Sequence, residues 1–357
     1  MDNNNLIFLT NKLNEAIFNS AGSSKHSSLI QMLSGVVSKN SIANPALTDN
    51  GYVFFGRPKL NLQSSSVKQD RIMASLNTLA SSSLAFAIRC YLDPIFAKRS
   101  DITKIAENSL LYSSKVPYIP ILTNSLETLS GWSDPTMEVD TTEGGFHSEN
   151  ITIAKGHDDL NKTITLSAVF NETMGFPITN LFMLWFRWIH LSTRGVIQPY
   201  NKYIEEYKIS YSCPIYRFRL DTSGRYISFW AKGTGCFPTT YPMSSIMEFN
   251  RAESRKLHDK CNVSMTVNFS EYMDIIILKE FNTWIKRACK DIESYVPLSP
   301  NELLTYQPYA IPYISNEYGE KELQWRVPKE FDGEPIGDIL ENIMDDIINL
   351  LKKEEEV

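Results

Sequence analysis

A chain of 357 residues, 43% hydrophobic and 21% charged, has the composition of an ordinary globular protein, which excludes collagen, coiled coil and disorder as its main architecture. Its length suits two domains or one enlarged one. Thirty-five Lys and Arg against 41 Asp and Glu give a net charge of −6, so nothing in the overall charge favours nucleic-acid binding by the whole chain.

The acidity is local. From Phe331 to Val357 nine acids meet only Lys352 and Lys353, a net of −7, which leaves the rest of the chain at +1. A near-neutral body favours association over colloidal repulsion. The five cysteines, Cys90, Cys213, Cys236, Cys261 and Cys289, are scattered and never form a Cys-x-x-Cys pair. Neither a zinc knuckle nor a disulfide framework is expected, and a reducing compartment is the simplest assumption. The first ten residues lack a basic region and a long apolar run, so no secretory signal is expected. Leu181 to Leu191 is the longest apolar stretch, contains Arg187 and His190, and reaches about half the length a membrane span needs, so none is expected.

In chain order, residues 1–50 hold eight Ser and nine Asn, with Leu6, Leu9, Leu13 and Ile17, then Leu29, Leu33, Val36 and Val37, at helical spacing. Two short amphipathic helices are predicted there. Asn44-Pro45 and Asp49-Asn50-Gly51 are turn signals before GYVFF, a short aromatic strand. A helix capped at Ser64 to Ser66 is predicted to carry Ile72, Leu76, Leu79, Phe86 and Tyr91 on one stripe and to end at Asp93-Pro94.

The period then changes from 3.6 to 2. In Thr163–Phe170, Ile164, Leu166, Ala168 and Phe170 alternate with Thr163, Thr165, Ser167 and Val169, and Ile151–Lys155 before them is predicted to pair with them as a hairpin across the GHDDLN loop. Further strands are predicted at Glu206–Ser212, Ile215–Asp221, Arg225–Gly233 and Cys261–Ser270. In the last, Val263, Met265, Val267 and Phe269 alternate with Asn262, Ser264, Thr266 and Asn268. One apolar and one small-polar face is the pattern of an antiparallel sheet packed on one side. Between the strands, Pro177 opens a helix running to about Ser192, apolar nearly all round at Trp185 and Trp188, and a second helix runs from about Met273 to Asp291.

Residues 297–335 hold six prolines and four tyrosines and read as an extended arm. In residues 336–357, Ile336, Ile339, Leu340, Ile343, Ile347 and Leu351 form the stripe of an acidic amphipathic helix. Burying six such side chains is worth roughly 9–18 kcal/mol before ordering costs, so the stripe requires a cover, either the chain's own body or another subunit.

Catalytic signals are sparse. Zincin, nucleophile-elbow and Walker motifs are absent, and no His accompanies Cys213 or Cys236 in the local sequence. His147, Glu149, His157, Asp158 and Asp159 are residue types that ligate hard metals, which leaves a metal-dependent hydrolase as the alternative reading, although GHDDLN is also ordinary turn chemistry. Trp185 and Trp188 could serve a receptor- or membrane-contacting surface or form core. Arg57, Arg217, Arg219 and Arg225 lack the interleaved aromatics of a nucleic-acid groove and suit ion pairs better.

Three stretches, GYVFFGRPKLNL (Gly51–Leu62), Gly131–Gly156 and Ile215–Pro242, resemble segments of virion structural proteins of large, myovirus-like tailed phages. Strands flanking a strongly apolar helix resemble the tail-tube fold within that group. The resemblance implies an α+β chain built on an antiparallel β-sandwich or barrel of tail-tube type with interleaved helices. It divides as an N-terminal helical region 1–50, a core 51–296, the arm 297–335 and the helix 336–357. It further implies a non-enzymatic virion protein without cofactor that assembles in the host cytoplasm into homo-oligomeric rings, usually hexameric, around a channel for DNA as passing cargo. Thr163, Thr165, Ser167, Asn262, Ser264, Thr266 and Asn268 would then line the lumen or face solvent, and the stripe from Ile336 to Leu351 would dock on neighbours. The chain is longer than a simple tube subunit, which suits a baseplate tube-initiator or tail-end adaptor that touches other tail proteins.

Overall fold

The computed structural model describes residues 51–329 except 110, 135, 145–148, 158–162, 200–210, 222–223, 244–246, 248–259, 299–309 and 316–320. The predicted N-terminal helices, most of the strand at 206–212 and the C-terminal helix with its stripe lie outside the described residues. Two compact units are formed, one from residues 51–219 and 229–274, the other including 220–228 and the chain from 275 onward.

The larger unit is organised by a seven-stranded antiparallel sheet. Its strands are β1 (Gly51–Phe55), β2 (Leu126–Ser130), β5 (Ile164–Asn171), β6 (Cys213–Leu220), β7 (Ile227–Pro238), β8 (Lys260–Val267) and β9 (Phe269–Tyr272). They follow the order β1-β6-β7-β8-β5-β2, with β9 beside β7. The longest ladder joins β5 to β8 in unbroken register from Ile164 opposite Val267 to Asn171 opposite Lys260. Strict alternation turns Leu166, Ala168, Phe170, Val263, Met265 and Val267 to one face, where all are buried.

That face is covered by α6 (Pro177–Thr193). Phe182 meets Phe170 at 5.5 Å, and Phe170 meets Phe55 of β1 at 5.7 Å. Trp185 stacks on Phe182 with planes 3° apart and donates its indole N–H to the Tyr211 carbonyl at 2.9 Å. Trp185 and Trp188 are buried, so the membrane or receptor reading of this pair is corrected: both are core. The α+β class with antiparallel sheets stands. The sheet path ends at β1 and β2, so among the described residues it is open, with helices covering the apolar face where a sandwich would place a second sheet.

The predicted hairpin is also corrected. The ribbon strand β4 (Thr152–His157) pairs with β3 (Met137–Thr141), and both edges of β5 are taken by β2 and β8. β4 repeats the alternation of β5 but has no core to face, and both strands of the ribbon are exposed wherever their burial is described.

The single helix predicted after Ser64 is broken into α1 (Ser64–Val67), a 3-10 turn at Met73–Asn77 and α2 (Leu84–Leu92); α3 (Pro94–Ala97), α4 (Thr103–Glu107) and α5 (Pro120–Ser125) follow. Short polar side chains compete with the helical backbone here. Asp70 Oδ1 accepts from the N–H groups of Ile72 and Met73 at 3.1 and 3.0 Å, and Ser75 donates to the Ile72 carbonyl at 2.8 Å. The pieces are tied by Arg89, 1% exposed. It donates to the Leu76 carbonyl and Asn77 Oδ1, each at 3.0 Å, and to Ser64 Oγ at 2.8 Å, and lies 3.7 Å from the Phe96 ring centre. Buried Asp93 caps α3 through the Phe96 N–H and also accepts from the Leu62 N–H; burial pushes its carboxyl up.

The smaller unit contains α7 (Ile275–Ala288) and the strands β10 (Val296–Pro297), β11 (Ile311–Ser315) and β12 (Glu322–Val327), in the order β10-β12-β11. Where proline spacing predicts an unpaired arm, β11 and β12 instead form a five-pair ladder. Buried Asn282 of α7 bonds both backbone groups of Ile314, donating to its carbonyl at 2.8 Å and accepting from its N–H at 2.9 Å, so helix and sheet are pinned by one amide.

Two stability outcomes follow. Arg89→Ala, measured by urea denaturation, is expected to cost about 3 kcal/mol, because it strips several buried acceptors and the cation beside Asp93. Asp70 pairs with Arg187 of α6 at 2.6 Å, and the Arg187 hydrogen bond draws its carboxyl from 3.8 down to about 2. Arg187 is 37% exposed, so screening by water trims the pair to about 1 kcal/mol. A depressed carboxyl stabilises above its unfolded value, so Asp70→Asn should cost that amount at pH 7. Acid titration of both proteins should show the difference closing as pH falls from about 4 to about 2.

A neutral polar sheet face as the candidate functional site

The face of β5 and β8 opposite the core carries the predicted small-polar residues, and the register brings them side by side. Thr165 stands opposite Thr266, and Ser167 opposite Ser264. On the other edge of β5, Ser130 of β2 stands opposite Ser167 and Thr128 opposite Val169, which itself faces Asn262. The result is a row Ser130, Ser167, Ser264 across three strands, flanked by a row Thr128, Val169, Asn262. Thr163, Thr165, Ser167, Thr128, Ser130 and Asn262 are exposed, and Ser264 and Thr266 are half-buried.

Two predicted members differ from the rest. Asn268 lies after the end of β8 with its amide over Gly235; a Cβ there would stand 2.8 Å from Asn268 Nδ2, and Gly235 has φ +70°, so glycine is required on both counts. Thr266 is opposite Phe237 of β7, whose ring meets Tyr211 edge-on at 5.2 Å, so an aromatic wall closes that border. Beyond it Thr239 donates through Oγ1 to the Ser264 carbonyl at 3.0 Å, and Thr240 Oγ1 accepts the Ser264 N–H at 2.8 Å. Charge enters at the far border, where Lys260 and Glu127 neutralise each other at 2.7 Å.

Hydroxyls and one amide without an activating base or cation supply no nucleophile and no strong ligand set. Their chemistry is that of a hydrated, uncharged wall. Thr128 and Ser130 were missed by period-2 reading because β2 carries a register shift between Leu126 and Thr128, which breaks the alternation in LETLS.

The other candidates disperse. His147, Asp158 and Asp159 lie outside the described residues, Glu149 is exposed, and His157 closes β4. Among the described residues, no three of His, Cys, Asp and Glu converge to hold a metal ion. All five thiols are free and buried. Burial pushes the Cys90 and Cys236 thiols up to about 12 and that of Cys213 well above its ordinary value, the reverse of a reactive thiolate. Arg57 donates to Tyr112 Oη at 3.0 Å and the Tyr118 carbonyl at 3.1 Å between the rings of Tyr91 and Tyr112, as a structural clamp. Arg217 donates to the Phe218 carbonyl at 2.7 Å, and Arg225 pairs with Glu322 at 2.5 Å. Among the described residues no helix is long and apolar enough to cross a membrane.

Comparison with known proteins bears on this geometry. The model of the family described as "Putative phage tail tube protein" matches residues 11–332. No curated protein sequence matches the chain. Among solved structures, it is similar to the tube-terminating cap of the anti-feeding prophage, with TM-score 0.26 and 10% identity over 41% of this chain and 78% of that one. It is also similar to a chain of the sheath–tube complex of the PVC extracellular contractile injection system in its extended state, with TM-score 0.26 and 12% identity over 44% and 82%. The family assignment rests on the match across 11–332: this chain belongs to the phage tail tube protein family.

Proposed function

We propose that the chain is a structural, non-catalytic subunit of a phage tail tube that assembles as a homo-oligomeric ring, with the face bearing Thr165, Ser167, Asn262, Ser264 and Thr266 lining the lumen. The observation that carries this reading is the neutral hydroxyl-and-amide surface laid across β2, β5 and β8 on the side opposite the helices. Among the described residues this wall carries no unpaired cation, and so offers a passing polyanion no counterion release and no sticking point. A wall without clustered acids offers no repulsive barrier.

The extra length supports an initiator or adaptor less than it first does. The family model begins at residue 11 and runs to 332, so the N-terminal region, the helical insertion and most of the Pro/Tyr stretch are shared with the family. The tube wall is therefore the station we favour, within the contractile setting that the sequence resemblance implies. The stripe Ile336, Ile339, Leu340, Ile343, Ile347 and Leu351 is proposed to dock on a neighbouring subunit or another tail protein.

Light scattering and negative-stain microscopy of the full chain should show rings or tubes; a persistent monomer across concentrations sinks the reading. The lumen assignment has its own check. Because the five native thiols are buried, Ser167→Cys, at an exposed position of β5 opposite Ser264, supplies one accessible thiol. In assembled tubes it should react with a small maleimide and resist one carrying a large polymer, whereas equal labelling by both reagents puts this face outside.

A further inference from the structure

Where α1 meets the end of α6, the surface holds an open hollow of about 350 Å³, lined by Gln63, Ser65, Ser66 and Gln69 on one side and by Gly195, Val196 and Gln198 on the other. The two sides are tied together. The Gln198 N–H donates to Ser66 Oγ at 2.8 Å, and Asp70 holds Arg187 of α6 at 2.6 Å. The backbone acceptors around the hollow are already used: the Gln63 carbonyl takes the N–H groups of Ser66 and Val67, and the Ser66 carbonyl takes that of Gln69. After α6, the N–H groups of Arg194, Gly195 and Val196 close on the carbonyls of His190, Ser192 and Leu191. What stays open is side-chain chemistry. The amides of Gln63, Gln69 and Gln198 and the Ser65 hydroxyl have no hydrogen-bond partner among the described residues.

The charge around it has one sign. Lys68 adjoins Gln69 in the chain, Arg71 follows, and Arg194 adjoins Gly195; all three are exposed, and among the described residues no acid pairs with them. The single acid in residues 63–71 and 190–199 is Asp70, which is committed to Arg187. Two aliphatic side chains stand in the same surface, Val196 in the lining and Ile72 beside Arg71, 48% and 39% exposed. Amide and hydroxyl donors, three free cations and exposed aliphatic carbon fit a segment that mixes carboxylates with aliphatic residues. A single-stranded nucleic acid would also seek rings to stack on, and no aromatic side chain lines the hollow.

We propose that this hollow receives the acidic segment Phe331–Val357 of a second copy of the chain, with the carboxylates of Glu354, Glu355 and Glu356 taken by Lys68, Arg194 and the glutamine amides. The proposal rests on the homo-oligomeric reading above and names the surface that the C-terminal segment meets. Charge complementarity selects the occupant. The segment carries a net −7 interleaved with Ile and Leu, while the rest of the chain, at +1, does not repel a copy. Because α6 covers the sheet face opposite the wall, docking at its end holds that negative charge away from the polar face.

The test uses full chains carrying Gln69→Cys or Val357→Cys, the native thiols being buried. Mixed, they should be joined by a short bismaleimide into a two-chain product that neither gives alone. Lys68→Glu with Arg194→Glu in the Gln69→Cys chain should slow that product roughly tenfold without moving the melting temperature, since both residues are exposed. Reversing Glu354, Glu355 and Glu356 to Lys in the other chain should then restore it. Rings in negative stain without the two-chain product, or a product indifferent to charge reversal, overturn this contact alone. A chain bearing both cysteines that links internally where mixed chains do not link assigns the segment to its own copy and also overturns it. So does a labelled DNA oligonucleotide that binds wild type but not Lys68→Glu with Arg194→Glu while no cross-link forms. Absence of rings from every sample overturns the homo-oligomeric reading itself.

Discussion

The eight-residue ladder between β5 and β8 is the constraint on which the larger unit depends. Because the side-chain period of a strand is two, a slip of one residue would place Thr165, Ser167 and Ser264 against α6 and expose Leu166, Phe170 and Met265. The helices fix the register from one side only. Phe170, Phe182 and Trp185 form a continuous aromatic column under the sheet, so the hydrophobic gain selects the register, and the polar face inherits its geometry from that choice. The wall therefore takes its register from the core although it contributes little burial of its own.

Beside this sheet, the helical insertion is held by polar groups that few apolar contacts could replace. Its segments are too short for helical cooperativity, four to nine residues each, and Ser, Asn and Asp side chains stop them early. Arg89 turns those stops into a scaffold by donating to carbonyl and side-chain acceptors left at the breaks. Asp70 and Arg187 then join the insertion to α6, the helix that already covers the sheet. Order passes from the ladder to α6 and from α6 to the insertion.

Much of this was legible in the sequence where burial imposes a single period. GYVFF, the start of β6, the alternations of β5 and β8 and the helix opened by Pro177 were all read close to their observed bounds, because each has one face that must be dry. Reading failed where period and burial part company. β4 alternates without a core behind it, so pattern alone paired it with β5 when its partner is β3. β2 was hidden by its bulge, and β11 and β12 by Pro312 and Pro328, which signal extended chain but do not tell a paired strand from a free one. Of the stripe predicted for the helix through Ile72 and Leu76, Leu76, Phe86 and Tyr91 are buried but Ile72 and Leu79 are exposed, and propensity did not show that Asp70 and Ser75 would take the backbone bonds instead. The polar wall was read from Thr165, Ser167, Asn262, Ser264 and Thr266, yet its third strand required the pairing.

The small-polar composition of the wall is the counterpart of the apolar face that α6 covers. Along β5 and β8 the exposed side chains are Thr165, Ser167 and Asn262, short and strongly hydrated, with Lys260 at the start of β8 paired to Glu127. The alternation that builds the core also sets this division: it dedicates every second residue of β5 to the helices and leaves the others, at a fixed pitch of two residues, to the polar face.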